Sequence, residues 1–127
     1  MDNPSIDLSS PLLDSDQVQM LISSGGDDAA DLIEEILELF KEESTENLAS
    51  MEASRKAGDS AQLGKSAHAL AGSSANIGAT QLWQSAKNLE NSTKEGCCPP
   101  AEVLDELRSL YEETITVFNR IRSDLQQ

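Results

Sequence analysis

The chain contains one histidine, His68, within the segment KSAHALAGSSANIGA (residues 65–79), which is built almost entirely from small side chains. Uncharged imidazole is a good nucleophile near neutral pH. General acid–base catalysis would need a second titratable group in a cleft. On a helix, Ser73 and Ser74 point away from His68, so a Ser–His pair is not indicated. Transfer of a phosphoryl group is the chemistry that suits an isolated histidine, because the partner then supplies the rest of the site.

A helical wheel of this segment separates a core stripe from an open face. The stripe consists of Leu63, Ala67, Leu70, Ser74 and Ile77. His68 lies roughly 130° from its centre, on a face shared with Ala61, Gly64, Lys65, Gly72 and Ala75, with Ala71 at the edge. A glycine inside a helix costs about 1 kcal/mol relative to alanine. We therefore predict that the side chains on this face are small so that a partner can approach the imidazole. The alternative is that the small residues serve tight helix packing around an interior histidine.

The charge of the chain restricts its partners. Its 127 residues, enough for one domain, carry a net charge of −14, which argues against nucleic acid and anionic membranes as partners. Residues 53–94 are the exception, with five basic and two acidic residues, and this basic segment is a candidate docking face for an acidic partner. No apolar run approaches the ~20 residues that span a bilayer, and no signal pattern is present. We expect a soluble, cytoplasmic protein with reduced Cys97 and Cys98 and no metal site.

Glycine and proline fall at a few separated points, which is typical of helical proteins. The pattern predicts an all-α fold, an antiparallel up-down four-helix bundle with a short extra N-terminal helix. Residues 1–13 are expected to be a flexible arm, and residues 14–127 the bundle. The predicted helices run from Asp14 to Gly25-Gly26, from Asp27 to about Ala57, from Asp59 to near Gly78, from Ala79 to Gly96, and from Pro99-Pro100 onward.

The motif His68-Ala69-Leu70-Ala71-Gly72-Ser73-Ser74, followed by Gly78-Ala79, resembles that of histidine-containing phosphotransfer (HPt) domains. The resemblance covers the helical body from about residue 14. It implies a four-helix bundle that takes a phosphoryl group on His68 from a receiver-domain aspartate and passes it to another receiver. The implied partners are response-regulator receiver domains, hybrid histidine kinases, or both. The implied Mg²⁺ belongs to the receiver, so no cofactor is expected on this chain.

The resemblance also assigns roles to other residues. Gly72 is implied to be the clearance position for the receiver, and Gly64, Ala71 and Ala75 share the predicted docking face. Glu90 matches a position whose carboxylate or amide holds the ring nitrogen that does not carry the phosphoryl group. Family members usually have lysine where this chain has Ala71, and we predict that Lys65 compensates charge instead.

A second hypothesis is a non-catalytic helical adaptor that retains the docking face. The missing lysine favours that hypothesis, whereas His68, Gly72 and the small residues favour phosphotransfer. Whether the chain counts as an enzyme is open. Since it has no ATP-binding motif, no kinase activity of its own is expected.

Overall fold

The computed structural model describes residues 6–96 and 98–127, and within these residues the regular structure is entirely helical. The five α-helices are α1 (Ser15–Gly25), α2 (Ala29–Ala57), α3 (Ser60–Ile77), α4 (Thr80–Thr93) and α5 (Ala101–Leu125). A 3₁₀ turn, Gly26–Asp28, joins α1 to α2. None of the described helices combines the length and the apolar character needed to cross a membrane.

Local capping chemistry sets the helix ends around α3. The carboxylate of Asp59 accepts a hydrogen bond from the backbone N–H of Gln62 at the start of α3, which satisfies one of the free amide groups of the first turn. Gly58 and Gly78 close α2 and α3 in the left-handed conformation, with φ of 71° and 80°. Side chains other than glycine rarely adopt this conformation, so the two glycines fix where α3 begins and ends.

The predicted bundle is confirmed: α2, α3, α4 and α5 pack around one core, with α3 between α2 and α4 and diagonal to α5. The five residues of the predicted α3 stripe are all buried. They meet buried side chains from the other helices, among them Leu37, Phe40 and Met51 of α2, Leu82, Ala86 and Leu89 of α4, and Leu104, Leu107, Phe118 and Ile121 of α5. Because these contacts fix the rotation of α3 about its axis, they also fix which of its side chains face solvent.

The N-terminal segment differs from the flexible arm that we expected. Leu8 and Leu13 are buried in the core, and Arg120 of α5 donates a hydrogen bond to the carbonyl oxygen of Asp7 at 2.9 Å. The backbone N–H of Asp14 donates to the carbonyl of Gly78 at 2.9 Å. Residues 6–13 therefore pack across the end of the bundle, because their leucines cover apolar surface that the four helices leave open. Residues 1–5, like Cys97, lie outside the described residues.

Candidate functional site

His68 lies near the middle of α3, on the side that faces solvent. Its side chain is 69% exposed, whereas Ala67 and Leu70 on either side are fully buried. This is the orientation that the helical wheel predicted, since the buried residues of α3 define the opposite side of the helix. A reacting group of a partner can therefore reach the imidazole without any rearrangement of the bundle.

Glu90 of α4 holds the imidazole of His68. The distance from His68 Nδ1 to Glu90 Oε2 is 2.9 Å, and Glu90 Oε1 accepts a hydrogen bond from Lys87 Nζ at 3.0 Å. The side chain of Glu90 is only 14% exposed, so its position is fixed by packing as well as by these two donors. The structure thus brings together two of the residues that the sequence singled out, His68 and Glu90, and adds Lys87.

The charge state of Glu90 determines which ring nitrogen of His68 is free. Burial acts to raise the pKa of Glu90, but the hydrogen bonds from Lys87 and His68 and their charges outweigh it, and the pKa is lowered below its usual value. Glu90 is therefore ionised at neutral pH and can only accept hydrogen bonds. His68 must then donate through Nδ1–H, so the neutral ring carries its lone pair on Nε2.

His68 opens into a groove between the first half of α3 and the last turn of α4. The groove has a volume of about 760 Å³ and contains Lys65, His68, Glu90 and Lys94. Lys65 and Lys94 are both exposed, and neither forms an ion pair with the described residues. Lys65 was predicted as a site residue, whereas Lys94, which lies 26 residues from His68 in the chain, was predicted only as part of the basic segment. The position of Lys94 could have been predicted from the antiparallel pairing of α3 with α4, which brings the end of α4 beside the start of α3.

Gly64 and Gly72, the two glycines that flank His68, lie in different surroundings. A Cβ atom built on Gly64 would lie 2.5 Å from Thr93 Oγ1, whereas one built on Gly72 would meet nothing within 4 Å. The close approach of α3 and α4 is therefore one reason for glycine at position 64, and Gly64 also lines the groove beside His68. Gly72 and the exposed Ala75 lie open on the His68 face, as predicted for a surface that another molecule covers.

Ala71 does not belong to the docking face on which we placed it. It is 2% exposed and part of the hydrophobic core. A helical wheel gives the angle of a side chain but not the distance of the neighbouring helices. The small residues of α3 allow α2 and α4 to approach closely, and Ala71, at the edge of the stripe, is covered as a result.

Ser74 gives no support to a Ser–His pair. Its side chain is fully buried, and its hydroxyl donates to the carbonyl oxygen of Leu70 at 2.8 Å. The hydroxyl is thus directed into α3, on the side of the helix opposite to His68. The chemistry of the site is therefore that of an exposed imidazole, oriented by one carboxylate and flanked by two lysines.

Comparison with known proteins agrees with this geometry. The family model described as Hpt domain matches residues 35–116, which is more than half of the chain. The crystal structure of histidine-containing phosphotransfer protein B (HptB) from Pseudomonas aeruginosa PAO1 is similar, with a TM-score of 0.61 and 30% sequence identity over 94% of this chain and 95% of that chain. A search of curated proteins gave no significant match. The chain belongs to the Hpt domain family, and it is a phosphorelay intermediate that carries a phosphoryl group on histidine.

Proposed function

We propose that His68 is the phosphorylated residue, that the phosphoryl group comes from an aspartyl phosphate of a receiver domain, and that a second receiver aspartate accepts it. The observation that carries the proposal is the exposed imidazole whose Nδ1 is hydrogen-bonded to Glu90. This bond leaves Nε2 as the nucleophilic nitrogen and directs it away from α4.

In the forward step the lone pair of Nε2 forms a bond to the phosphorus of the aspartyl phosphate. The bond between phosphorus and the aspartate oxygen breaks, and its electron pair stays on the receiver carboxylate. His68 keeps the proton on Nδ1, so the phosphorylated ring is cationic and stays hydrogen-bonded to the anionic Glu90. The reverse step, with the carboxylate of another receiver as the nucleophile, regenerates the neutral imidazole.

The lysines of the groove compensate the negative charge of the phosphoryl group in this proposal. The ammonium groups of Lys65 and Lys94 belong to the same groove as His68, and a lysine side chain is long and flexible enough to follow a moving anion. In this proposal the two lysines take the role of the residue that Ala71 replaces. The Mg²⁺ that phosphoryl transfer requires is supplied by the receiver, and the receiver belongs either to a response regulator or to a hybrid histidine kinase.

Transfer from receiver domains to the His68→Gln variant tests the proposal. A panel of purified receiver domains is phosphorylated with radiolabelled acetyl phosphate and mixed with either protein. We expect acid-labile, alkali-stable label on the wild type and none on the variant. The helix content of the variant should be unchanged in circular dichroism, because exposed substitutions usually change stability by less than about 0.5 kcal/mol.

The same experiment separates phosphotransfer from the adaptor hypothesis. An adaptor would bind a receiver, detected by isothermal titration calorimetry, and yet take up no label from any member of the panel. Label that persisted on His68→Gln would show that another residue carries the phosphoryl group. Either result would overturn the assignment of His68.

A further inference from the structure

The tryptophan of the chain, Trp83, remains partly open to solvent. It is the single tryptophan among 127 residues of which 3% are aromatic, and it is 36% exposed on the first half of α4. The core of the bundle is filled by leucine, isoleucine, alanine, valine, methionine and phenylalanine without it. Tryptophan has a large apolar surface, and it is strongly enriched among the residues that dominate the binding energy of protein interfaces.

Helix periodicity places Trp83 on the same side of α4 as Glu90. The two residues are seven positions apart, which is close to two full turns and about 10.5 Å along the helix axis. On α3, His68 and Ala75 are separated by the same seven positions. Because α3 and α4 are antiparallel neighbours, the seam between them carries His68 with Glu90 at one end and Ala75 with Trp83 at the other.

A shallow cleft lies beside the indole of Trp83. It has a volume of about 180 Å³ and is lined by Asp14, Gln17, Ala75, Gly78, Thr80 and Trp83. The side chain of Gln17 closes one wall by donating to the backbone carbonyls of Ala75 and Asn76, at 2.6 and 3.1 Å. The cleft is thus a fixed feature of the folded chain, with an apolar wall formed by the indole and the methyl group of Ala75.

A partner that covers His68 with an interface of ordinary size also covers this cleft. A stable interface covers about 800 Å² on each partner, which corresponds to a disc of about 16 Å radius. Trp83 lies about 10.5 Å along α4 from Glu90. The surface between them is open at Gly72, where an added Cβ would meet nothing within 4 Å. A receiver centred near Nε2 of His68 and resting on the α3–α4 seam therefore covers the indole.

We propose that Trp83 is the apolar anchor of receiver docking and that the cleft beside it accepts one apolar side chain of the receiver. This inference rests on the proposed function, because it takes the receiver as the molecule that covers His68. Trp83 touches no reacting atom, so it is a positioning residue. It sets how strongly the receiver binds and leaves the chemical step at Nε2 unchanged.

The test is the dependence of the transfer rate on receiver concentration, with the receiver from the panel that transfers fastest to the wild type. For Trp83→Ala we expect KM for the phosphorylated receiver to rise by about tenfold or more, with the rate at saturation within about twofold of the wild type. Trp83→Phe retains part of the apolar surface, and its KM should lie between the two. Val117→Ala is the control, since Val117 is a half-buried apolar residue on α5, the helix diagonal to α3.

Intrinsic fluorescence gives a second readout, because Trp83 is the single tryptophan of the chain. A receiver free of tryptophan should shift the emission maximum of wild-type protein to shorter wavelength as it covers the indole, with a midpoint that matches Kd from calorimetry. An unchanged spectrum at saturating receiver would overturn the proposal. An unchanged KM for Trp83→Ala would overturn it as well.

Phosphoramidate, a small phosphoryl donor that needs no docking surface, separates this inference from the proposed function. We expect it to label His68 equally in the wild type and in Trp83→Ala. If the wild type takes no label from either donor, the proposed function fails, while fluorescence still reports whether a receiver covers Trp83. If Trp83→Ala loses labelling by phosphoramidate, the indole supports the site or the fold itself, and its assignment as a docking residue is wrong.

Discussion

The pair formed by His68 and Glu90 determines which nitrogen of the imidazole carries the lone pair. The lowered pKa of Glu90 keeps the carboxylate ionised, and the carboxylate holds the proton on Nδ1. Lys87 supports this arrangement from the next turn of α4, through its 3.0 Å contact with the other carboxylate oxygen. A histidine without such a neighbour would divide its proton between the two nitrogens and present its lone pair on Nε2 only part of the time.

Removal of Lys87 should therefore change the titration of Glu90. Because the folded pKa of Glu90 is lowered, the ion pairs around it are complete above the unfolded pKa and are lost as the pH falls through the folded pKa. In Lys87→Ala one hydrogen bond and one positive charge are absent, so we expect the folded pKa of Glu90 to rise. Loss of the contact between Glu90 and His68 then begins at a higher pH. Carbon-13 NMR of the Glu90 carboxyl during an acid titration measures this shift directly.

Lys41→Ala is the control for this titration. Lys41 pairs with Glu38 on α2 at 3.6 Å. Ser50 of α2 faces α3, since its hydroxyl is hydrogen-bonded to that of Ser66. Lys41 lies nine positions before Ser50, which is roughly 180° around the helix, so it is on the side of α2 away from α3. The same loss of one lysine charge there should leave the titration of Glu90 unchanged. If both variants shifted the pKa of Glu90 equally, the shift would reflect the loss of one positive charge from the chain as a whole and not the loss of the contact with Lys87.

At the scale of the helices, the two glycines of α3 provide a matched comparison. Alanine at position 72 meets open space, and by helix propensity alone Gly72→Ala should raise the free energy of unfolding by up to about 1 kcal/mol. Alanine at position 64 would meet Thr93 Oγ1, which itself donates to the carbonyl oxygen of Glu90 at 2.6 Å. We expect Gly64→Ala to lower the free energy of unfolding in urea denaturation, because α3 and α4 must separate or Thr93 must give up its hydrogen bond.

A double variant shows whether the contact with Thr93 causes the loss of stability in Gly64→Ala. Thr93→Ala removes the hydroxyl that lies closest to position 64, so Gly64→Ala in that background should lose less stability than in the wild type. The difference between the two measurements is a direct coupling between α3 and α4. Equal effects of Gly64→Ala and Gly72→Ala on stability would contradict the different reasons that the structure gives for the two glycines.

The helices themselves were predictable because capping residues in the sequence mark most of their ends. Asp14 and Asp59 accept hydrogen bonds from the backbone N–H groups three residues later, and Gly58 and Gly78 close their helices with positive φ. The first turn of α2 was not predictable in this way. The sequence prediction began that helix at Asp27, but the 3₁₀ turn Gly26–Asp28 comes first and α2 starts at Ala29. No side-chain cap marks the start of α2.

What the sequence could not show depends on distances between helices. The burial of Ala71 and the contact of Gly64 with Thr93 follow from how closely α3 approaches its neighbours, and a periodic pattern carries no such information. The position of Lys94 beside His68 was not predicted for the same reason, since it results from the packing of α4. The exposure of His68 was predictable because a stripe of larger apolar residues defines the opposite side of its helix.

For the whole molecule, the main feature is a basic groove on an acidic protein. The net charge is −14, yet the groove beside His68 presents Lys65 and Lys94. An acidic partner is repelled by most of the surface and attracted by this part of it. Such a distribution favours encounters in which the partner's carboxylates already face the imidazole, and its main effect is on the rate of association.

Substitution of the two groove lysines tests this whole-molecule effect. Lys65→Ala and Lys94→Ala should each slow phosphotransfer from a receiver a few-fold at low salt, since an exposed charge pair contributes on the order of 1 kcal/mol or less, and the double variant should be slower than either. Rates are compared in rapid-quench experiments below and at about 1 M salt, where the screening length falls to about 3 Å. The differences should largely vanish at high salt, while Lys41→Ala, which removes an equal charge outside the groove, should transfer at close to the wild-type rate throughout. If the double variant and the wild type transferred at the same rate in low salt, neither lysine would act on the phosphoryl group, and charge compensation would then belong to the receiver alone.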